Sequence, residues 1–429
     1  MSTQTITQVT ESIPAVLSLR TGTENNGQEA KQSSQDEPYR YAHLLPVFPR
    51  DEHYPPLTPF DHVDPGARAL GHANPRAFLD NATSVIELTP HLGTEVHGVN
   101  LAALDSDGRD ELALFIAQRG LAVFRNQQDF IDSGPDFYLE WGRHFGRLHI
   151  HPTSGHPDGY PELHLVYRDA NTTFNFEVND SLTPTVWHSD VSYELQPPGL
   201  TTFFLLAQPS SGGDTLFTSQ VSALKRLSPQ FVAFLKTLKA VHSGVEQADF
   251  SRSGRRGGAI RRDPVEYIHP VVRRHPVTGE EALFVNRQFT KRIVGLKREE
   301  SGTYQSKETF TGKPLILATT ETILKFLYDY IDKSPDNQAR AKWAPNTVVI
   351  WDNRVTAHVR LSTVITYNQA THVIIAVCYY RLCRFQGETT RCTHYASSRK
   401  THTRSCRTRP ICMSRKAGLK SMRKWRERM

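Results

Sequence analysis

Apolar and polar positions follow two rhythms along this chain, and the changes of rhythm mark its elements. Ser84–Leu88 reads as a short strand and is followed by a turn at Leu92, Gly93 and Thr94. Over Asp110–Arg119 the apolar residues Leu112, Leu114, Phe115 and Ala117 recur at roughly helical spacing. Leu121–Arg125 (Leu-Ala-Val-Phe-Arg) reads as a buried strand, and Phe137–Phe145 as a second helix. Beyond residue 185 the apolar runs become short and are separated by turns. Val186–Tyr193, Leu200–Ala207, Thr215–Thr218, Val271–Arg274, Leu283–Asn286 and Thr347–Trp351 are the predicted strands. Helices over Val221–Ala240 and Thr322–Ile331 interrupt the series. Many short strands with a few helices predict a mainly β fold with helical additions, built on a jelly-roll core.

The flanks differ from this middle. Residues 1–40 are rich in Ser, Thr, Gln, Asn and Glu and predict a disordered segment. Residues 41–84 carry Pro46, Pro49, Pro55, Pro56, Pro59 and Pro65 among aromatics, which predicts an extended wrapping segment. The compact domain is expected over residues 85–358. An apolar fraction of 38% suffices for a core, so disorder throughout is excluded. The net charge of +7 divides unevenly. Residues 359–429 hold 16 Lys and Arg against two acids, whereas residues 1–358 hold 35 bases against 42 acids. The domain itself is mildly acidic, so the basic total does not argue for a nucleic-acid partner. All five cysteines (Cys378, Cys383, Cys392, Cys406 and Cys412) lie in the same tail. A long cysteine-free domain suits a reducing compartment and excludes a disulfide scaffold. No apolar run reaches the roughly 18 residues a membrane span needs. The N-terminus has neither an apolar secretory core nor the Arg-rich, acid-poor character of a transit peptide. The expected location is the cytoplasm, with no membrane partner.

One constellation carries chemistry. In Trp187-His-Ser-Asp-Val191, residues i and i+2 of a strand point to one side, so His188 and Asp190 share a face. An imidazole and a carboxylate so placed can grip one metal ion, and a third ligand must come from elsewhere. His358, at the end of Trp351-Asp-Asn-Arg-Val-Thr-Ala-His358, is the candidate. Two histidines and one carboxylate on one side of Fe(II) leave open positions for reactants. By itself His-x-Asp is a weak motif. Trp187 and Trp351 read as core aromatics, Asp352, Asn353 and Arg354 as turn and structural hydrogen-bond residues, and His269 and His275 as structural or exposed histidines.

The surrounding motifs are more specific. Pro198-Gly199 and Ser211-Gly-Gly-Asp-Thr215 follow the His-x-Asp pair. Next come His269-Pro-Val-Val-Arg-Arg-His-Pro276 and Leu283-Phe-Val-Asn286, with Phe289, Arg292 and Val294 close behind. Together with the Trp351–His358 segment, and in this order, they resemble the taurine dioxygenase/TfdA family of Fe(II)- and 2-oxoglutarate-dependent dioxygenases, most of all its fungal sulfonate dioxygenase branch. The resemblance runs from about residue 85 to His358. It implies a double-stranded β-helix core, iron held by His188, Asp190 and His358, and 2-oxoglutarate hydrogen-bonded by Thr215. It also implies Phe289 in the substrate pocket and His151 at the substrate sulfonate, although His151 reads equally well as a satisfied structural histidine. The implied reaction uses O2 and 2-oxoglutarate to oxidise an alkylsulfonate such as taurine to an aldehyde and sulfite, with succinate and CO2 as co-products. A sulfate ester or another small acid is the alternative substrate. The expected partners are small molecules, and homo-oligomerisation is left open.

The pattern breaks after His358. The family places arginines about 11 and 15 residues beyond the last iron ligand, and here Gln369 and Val373 stand there. Glutamine cannot supply the charge of an arginine fork. Val359-Arg360 and Tyr380-Arg381 are compatible with splice boundaries enclosing a length not divisible by three, so residues 359–429 read as an aberrant, frameshifted basic tail. Residues 302–320 read in the same way as a retained in-frame intron. A catalytically incompetent product lacking the 2-oxoglutarate arginine is the corresponding functional alternative.

Overall fold

The computed structural model describes residues 39–168, 186–207, 212–253, 258–294, 315–360 and 371–379. Its first strands are β1 (Ser84–Glu87), β2 (Thr94–His97), β3 (Leu121–Phe124), β4 (Leu163–Arg168) and β5 (Pro198–Ala207). They are followed by β6 (Thr215–Ser219), β7 (Lys239–Ser243), β8 (Glu266–Pro270), β9 (Val272–Arg274) and β10 (Glu281–Leu283). The last are β11 (Thr290–Val294), β12 (Gln338–Ala341), β13 (Val348–Asp352), β14 (Thr356–Arg360) and β15 (Thr371–Tyr379). The helices are α1 (Pro65–Ala69), α2 (Ser106–Arg119), α3 (Gln128–Asp132), α4 (Gly134–Phe145), α5 (Gln220–Lys225), α6 (Pro229–Leu235), α7 (Val245–Arg252) and α8 (Leu315–Asp332).

Seven strands form the main sheet in the order β1-β2-β3-β13-β5-β15-β4, and three form a second sheet in the order β12-β6-β14. Period-two alternation divides the main sheet's side chains between two cores. Ala122 and Phe124 of β3, with Val348 and Ile350 of β13, pack against Leu112, Phe115 and Ile116 of α2 and Tyr138 and Trp141 of α4. The alternate residues Leu121, Val123, Val349 and Trp351 meet Phe217 of β6 and Ala339 and Ala341 of β12. Each Leu, Ile, Val or Phe among these, fully buried, contributes about 1.5–3 kcal/mol. On β14, Ala357 and Val359 turn outward to Leu224, Leu324 and Leu327. His358, between them in sequence, therefore points the other way, into the space between the two sheets.

The ends of α2 show how local chemistry sets this frame. The Asp105 side chain caps the first turn by accepting from the Gly108 N–H at 2.8 Å. Gly120 closes the helix at φ +71°, a conformation open to glycine, and donates to the Ile116 carbonyl at 2.7 Å. Its own carbonyl accepts from Asp352 N–H at 3.0 Å, which ties the helix end to the turn before β14.

Three predicted elements are corrected. Val186–Tyr193 is not a strand: His188 forms one isolated antiparallel bridge with His358, and the chain then turns. The Asp190 N–H is taken by the Asn353 side chain, so no ladder continues, and Val191 sits at φ +35°. The helix expected over Val221–Ala240 is broken at Ser228-Pro229. Ser228 caps α6, Pro229 opens it, and Ala240 lies in β7. The strand expected over Leu283–Asn286 is β10, ending at Leu283. Beyond it the Asn286 side chain caps a turn by accepting from the Phe289 N–H at 2.8 Å.

The segment expected to wrap the domain follows a mostly irregular path. Val47 bridges His156, Glu52 pairs with Arg261, and both Phe60 backbone groups bond the Gln196 side chain. The boundary drawn at His358 falls within β14, and β15 pairs with both β5 and β4 in the main sheet. Helix α8 includes residues 315–320, the last six of the segment read as an intron. Residues 1–38, residues 301–314, Gln369 and the cysteines beyond Cys378 lie outside the described residues. No helix among the described residues is long and apolar enough to cross a membrane.

Candidate metal centre

The His188–His358 bridge is the structural origin of the site. Reciprocal backbone hydrogen bonds of 3.0 and 2.7 Å hold the two residues side by side, with ring centroids 4.2 Å apart. Two residues after His188, the turn brings the Asp190 carboxylate against both rings. Its Oδ1 lies 3.8 Å from His188 Nε2 and 3.6 Å from His358 Nε2. One ligand atom from each of the three residues lies within 4.8 Å of the other two. Among the described residues this is the one group of His, Cys, Asp and Glu with such convergence.

The supporting bonds orient each donor. His188 Nδ1 lies 2.9 Å from the Val186 carbonyl, an obligate acceptor, which places the ring proton there and leaves the Nε2 lone pair facing the triangle. His358 is packed between Phe217 and Trp351, with ring centroids 5.6 and 4.9 Å away, and its Nδ1 is buried without a hydrogen-bond partner. Burial, with His188 beside it, holds its pKa down at about 3, so the ring is neutral at physiological pH. Burial pushes the Asp190 carboxyl upward, but His358, His188 and the Thr201 hydroxyl outweigh it and leave the group below the ordinary carboxylate range. The Nε2 atoms of His188 and His358 and the ionised Asp190 carboxylate converge as a donor set that fits Fe(II).

A second set of bonds surrounds Asp190. Thr201, on β5, donates its hydroxyl proton to Asp190 Oδ2 at 2.7 Å. Asn353 Oδ1 accepts from the Asp190 N–H at 3.0 Å and from Trp351 Nε1 at 3.1 Å. Asn353 Nδ2 donates to Thr201 Oγ1 at 2.8 Å and to the Gly199 carbonyl at 3.1 Å. Sequence reasoning gave Asn353 a turn and structural hydrogen-bond role without naming its partners, and did not single out Thr201. The signal lay in register, since Thr201 is the β5 partner of Trp351 on β13. Beside Asn353, Arg354 bridges Asp352 and Asp64, and His275 Nε2 reaches Asp352 at 2.9 Å. His269 is buried with Nε2 3.0 Å from the Glu194 carbonyl.

The other predicted residues lie at different distances from the triad. Phe289 is buried, with its ring edge-on to His188 at 6.2 Å and to Tyr193 at 5.0 Å. Thr215 lies on β6, two residues before Phe217, and its hydroxyl accepts from Trp343 Nε1 at 3.3 Å. In register it faces Arg360 across the β6–β14 pair. His151 is linked to the triad through His164. Its ring lies 4.4 Å from that of His164, and His164 acts electrostatically on Asp190. His151 Nδ1 accepts from Thr153 N–H at 3.2 Å and lies 2.6 Å from Ser154 Oγ, so Nε2 carries the ring proton. Burial foremost, with His164 and His149 nearby, holds His151 neutral. Sequence reasoning also missed a buried cluster beside it, in which Glu194 Oε1 accepts from His149 Nε2 at 3.1 Å and from Arg262 at 3.0 Å.

Comparison with known proteins places this geometry. The family model described as taurine catabolism dioxygenase TauD, TfdA family matches residues 84–376, a span that includes every residue discussed above as a ligand and extends past His358 into β15. An alpha-ketoglutarate-dependent sulfonate dioxygenase of Saccharomyces cerevisiae is 44% identical over 344 residues, covering 80% of this chain and 77% of its own length. An alpha-ketoglutarate-dependent dioxygenase of Penicillium expansum, cnsP, is 40% identical over 74% of this chain and 80% of its own. The crystal structure of a taurine dioxygenase from Burkholderia xenovorans superposes with a TM-score of 0.52 at 25% identity, covering 70% of this chain and 89% of that one. A match over this span, which contains the convergent His, Asp and His donors, means that the chain belongs to the TauD, TfdA family of dioxygenases.

Proposed function

We propose that the protein is an Fe(II)- and 2-oxoglutarate-dependent dioxygenase that oxidises an alkylsulfonate such as taurine to an aldehyde and sulfite, forming succinate and CO2. The observation that carries this reading is the convergence of His188, Asp190 and His358 between the two sheets. The sheets then correspond to the two faces of a double-stranded β-helix. The sulfonate class is supported by the name of the Saccharomyces cerevisiae relative. Bound Fe(II) supplies the redox chemistry, coupling O2 and 2-oxoglutarate oxidation to oxidation of the substrate carbon. The chain's own residues hold and shield the reactants. His188, Asp190 and His358 bind the metal on one side. The Thr215 hydroxyl bonds the co-substrate, and the Phe289 ring walls the space beside His188. His151, with its proton fixed on Nε2, donates to a sulfonate oxygen as a neutral group. Aerobic incubation with Fe(II), 2-oxoglutarate and taurine or longer alkylsulfonates tests this through sulfite release. Release of sulfate from sulfate esters, with no sulfite from any sulfonate, would overturn the substrate assignment.

A second reading is favoured by the absent arginines. Val373 stands in β15 at one family arginine position and Gln369 at the other. A chain that binds metal but not 2-oxoglutarate would be the product of the frameshifted tail over residues 359–429. Sequencing of spliced transcripts tests the frameshift, because a dominant transcript that retains these codons removes it.

A further inference from the structure

We propose that Thr201 and Asn353 are positioning residues that restrict Asp190 to one-oxygen coordination and so keep the remaining metal positions open for reactants. The inference rests on the reading of His188, Asp190 and His358 as a metal site and adds to it a function for residues outside the donor set.

The directions of the hydrogen bonds carry the argument. Asn353 Oδ1 receives two obligate donors, the Asp190 N–H and the Trp351 indole N–H. Its Nδ2 faces an obligate acceptor, the Gly199 carbonyl. The amide therefore has one orientation, and all four of its hydrogen-bonding positions are in use. With that orientation fixed, Nδ2 gives its other proton to Thr201 Oγ1. Thr201 is then an acceptor toward Asn353, and its single proton is directed to Asp190 Oδ2. Thr201 and Asn353 are 0% and 2% exposed, so water does not compete for these bonds.

The two carboxylate oxygens thus have different tasks. Oδ1 faces His188 Nε2 and His358 Nε2, and Oδ2 is held by Thr201. A carboxylate without this restraint can bind a metal through both oxygens and occupy one more position. A site of two histidines and a one-oxygen carboxylate leaves three positions, and a two-oxygen carboxylate leaves two. Two positions cannot take a chelating co-substrate and O2 together.

Mn(II) alone tests this in the full-length protein, through the water-proton relaxivity per bound ion, which reports coordinated water. Thr201→Val removes the hydroxyl at nearly constant shape and should lower that relaxivity by roughly a third, with Mn(II) affinity unchanged or tighter. Thr201→Ser should restore the wild-type value. Asn353→Asp keeps the two accepted N–H bonds but has no proton for Thr201, and should move in the direction of Thr201→Val. A merely structural role would lower the melting temperature and Mn(II) affinity while leaving the relaxivity per bound ion unchanged, and that result overturns the proposal. Wild-type protein that binds no Mn(II) would instead refute the metal-site reading beneath it.

Discussion

Replacing Arg354 with Met tests whether the turn that delivers His358 is held by buried charge. Arg354 is 4% exposed and bonds Asp352 through Nε and Nη2 and Asp64 through Nη1. Its two partners are buried as well, Asp352 at 0% and Asp64 at 8% exposure. Methionine fills much of the arginine stem's volume, so the main loss is charge. Two carboxylates then share a dry site, with the His275 imidazole beside Asp352 and His62 near Asp64. Breaking a buried pair by removing one partner costs about 3–5 kcal/mol. At about 2 °C per kcal/mol for a domain of this size, the melting temperature at pH 7 should fall by about 6–10 °C. Burial raises the Asp352 carboxyl pKa, but Arg354 and His275 outweigh it and hold the group far below its ordinary value. A depressed carboxyl contributes stability that is present above the unfolded value, near 4, and lost as pH falls through the folded value. The gap between wild type and variant should therefore narrow in acid. Adding Asp64→Asn to the variant removes one uncompensated carboxylate and should recover part of the loss. Differential scanning calorimetry on metal-free protein reads all three effects. A change below about 1 °C, or a double variant no better than the single one, would refute the reasoning.

His188→Ala should abolish Fe(II)-dependent turnover and weaken Co(II) binding by at least about tenfold, measured by visible titration; unchanged turnover would remove His188 from the metal site. Phe289→Ala opens a buried space beside His188 and should cost about 3–5 kcal/mol of stability. It should also raise the substrate KM more than it lowers kcat, which steady-state sulfite release would show. Burial, with Arg273 nearby, pushes the His269 pKa down to about 3, so the unfolded chain takes up a proton there that the folded chain does not. Stability from this group is intact above about pH 6.5 and falls as pH drops toward 3. His269→Gln should flatten the melting-temperature profile between pH 6.5 and 5, and an unaltered slope would contradict the assignment.

Much of the fold was legible because its strongest signals were local. The run Leu121–Phe124 is apolar throughout because both faces of β3 are buried, and Ser106–Arg119 carries the continuous apolar stretch Leu112–Ala117 through its buried turns. Where tertiary bonds compete with local pattern, the sequence misled. Val186–Tyr193 has strand composition, yet Asn353 captures the Asp190 N–H and the chain turns. His188 and Asp190 still meet His358, through a single bridge and a turn instead of along a continuous strand. Ser228-Pro229 is a helix-start signal whose weight the surrounding apolar spacing obscured. Thr201 could not be identified from its neighbours, because its position against Trp351 and Asn353 depends on the β5–β13 register. His151 was singled out by resemblance, while His164 beside its ring and Glu194, which holds the neighbouring His149, come from separate elements that only folding brings together.

The most direct test of the central claim is anaerobic titration of the full chain with Fe(II) and then 2-oxoglutarate, following the weak visible charge-transfer band of the chelate. Fe(II) should bind with one equivalent per chain, and the band should grow and saturate as 2-oxoglutarate is added. Fe(II) bound without the band would contradict the claim that this chain is a working 2-oxoglutarate-dependent dioxygenase, and would place the fault in the residues that follow His358.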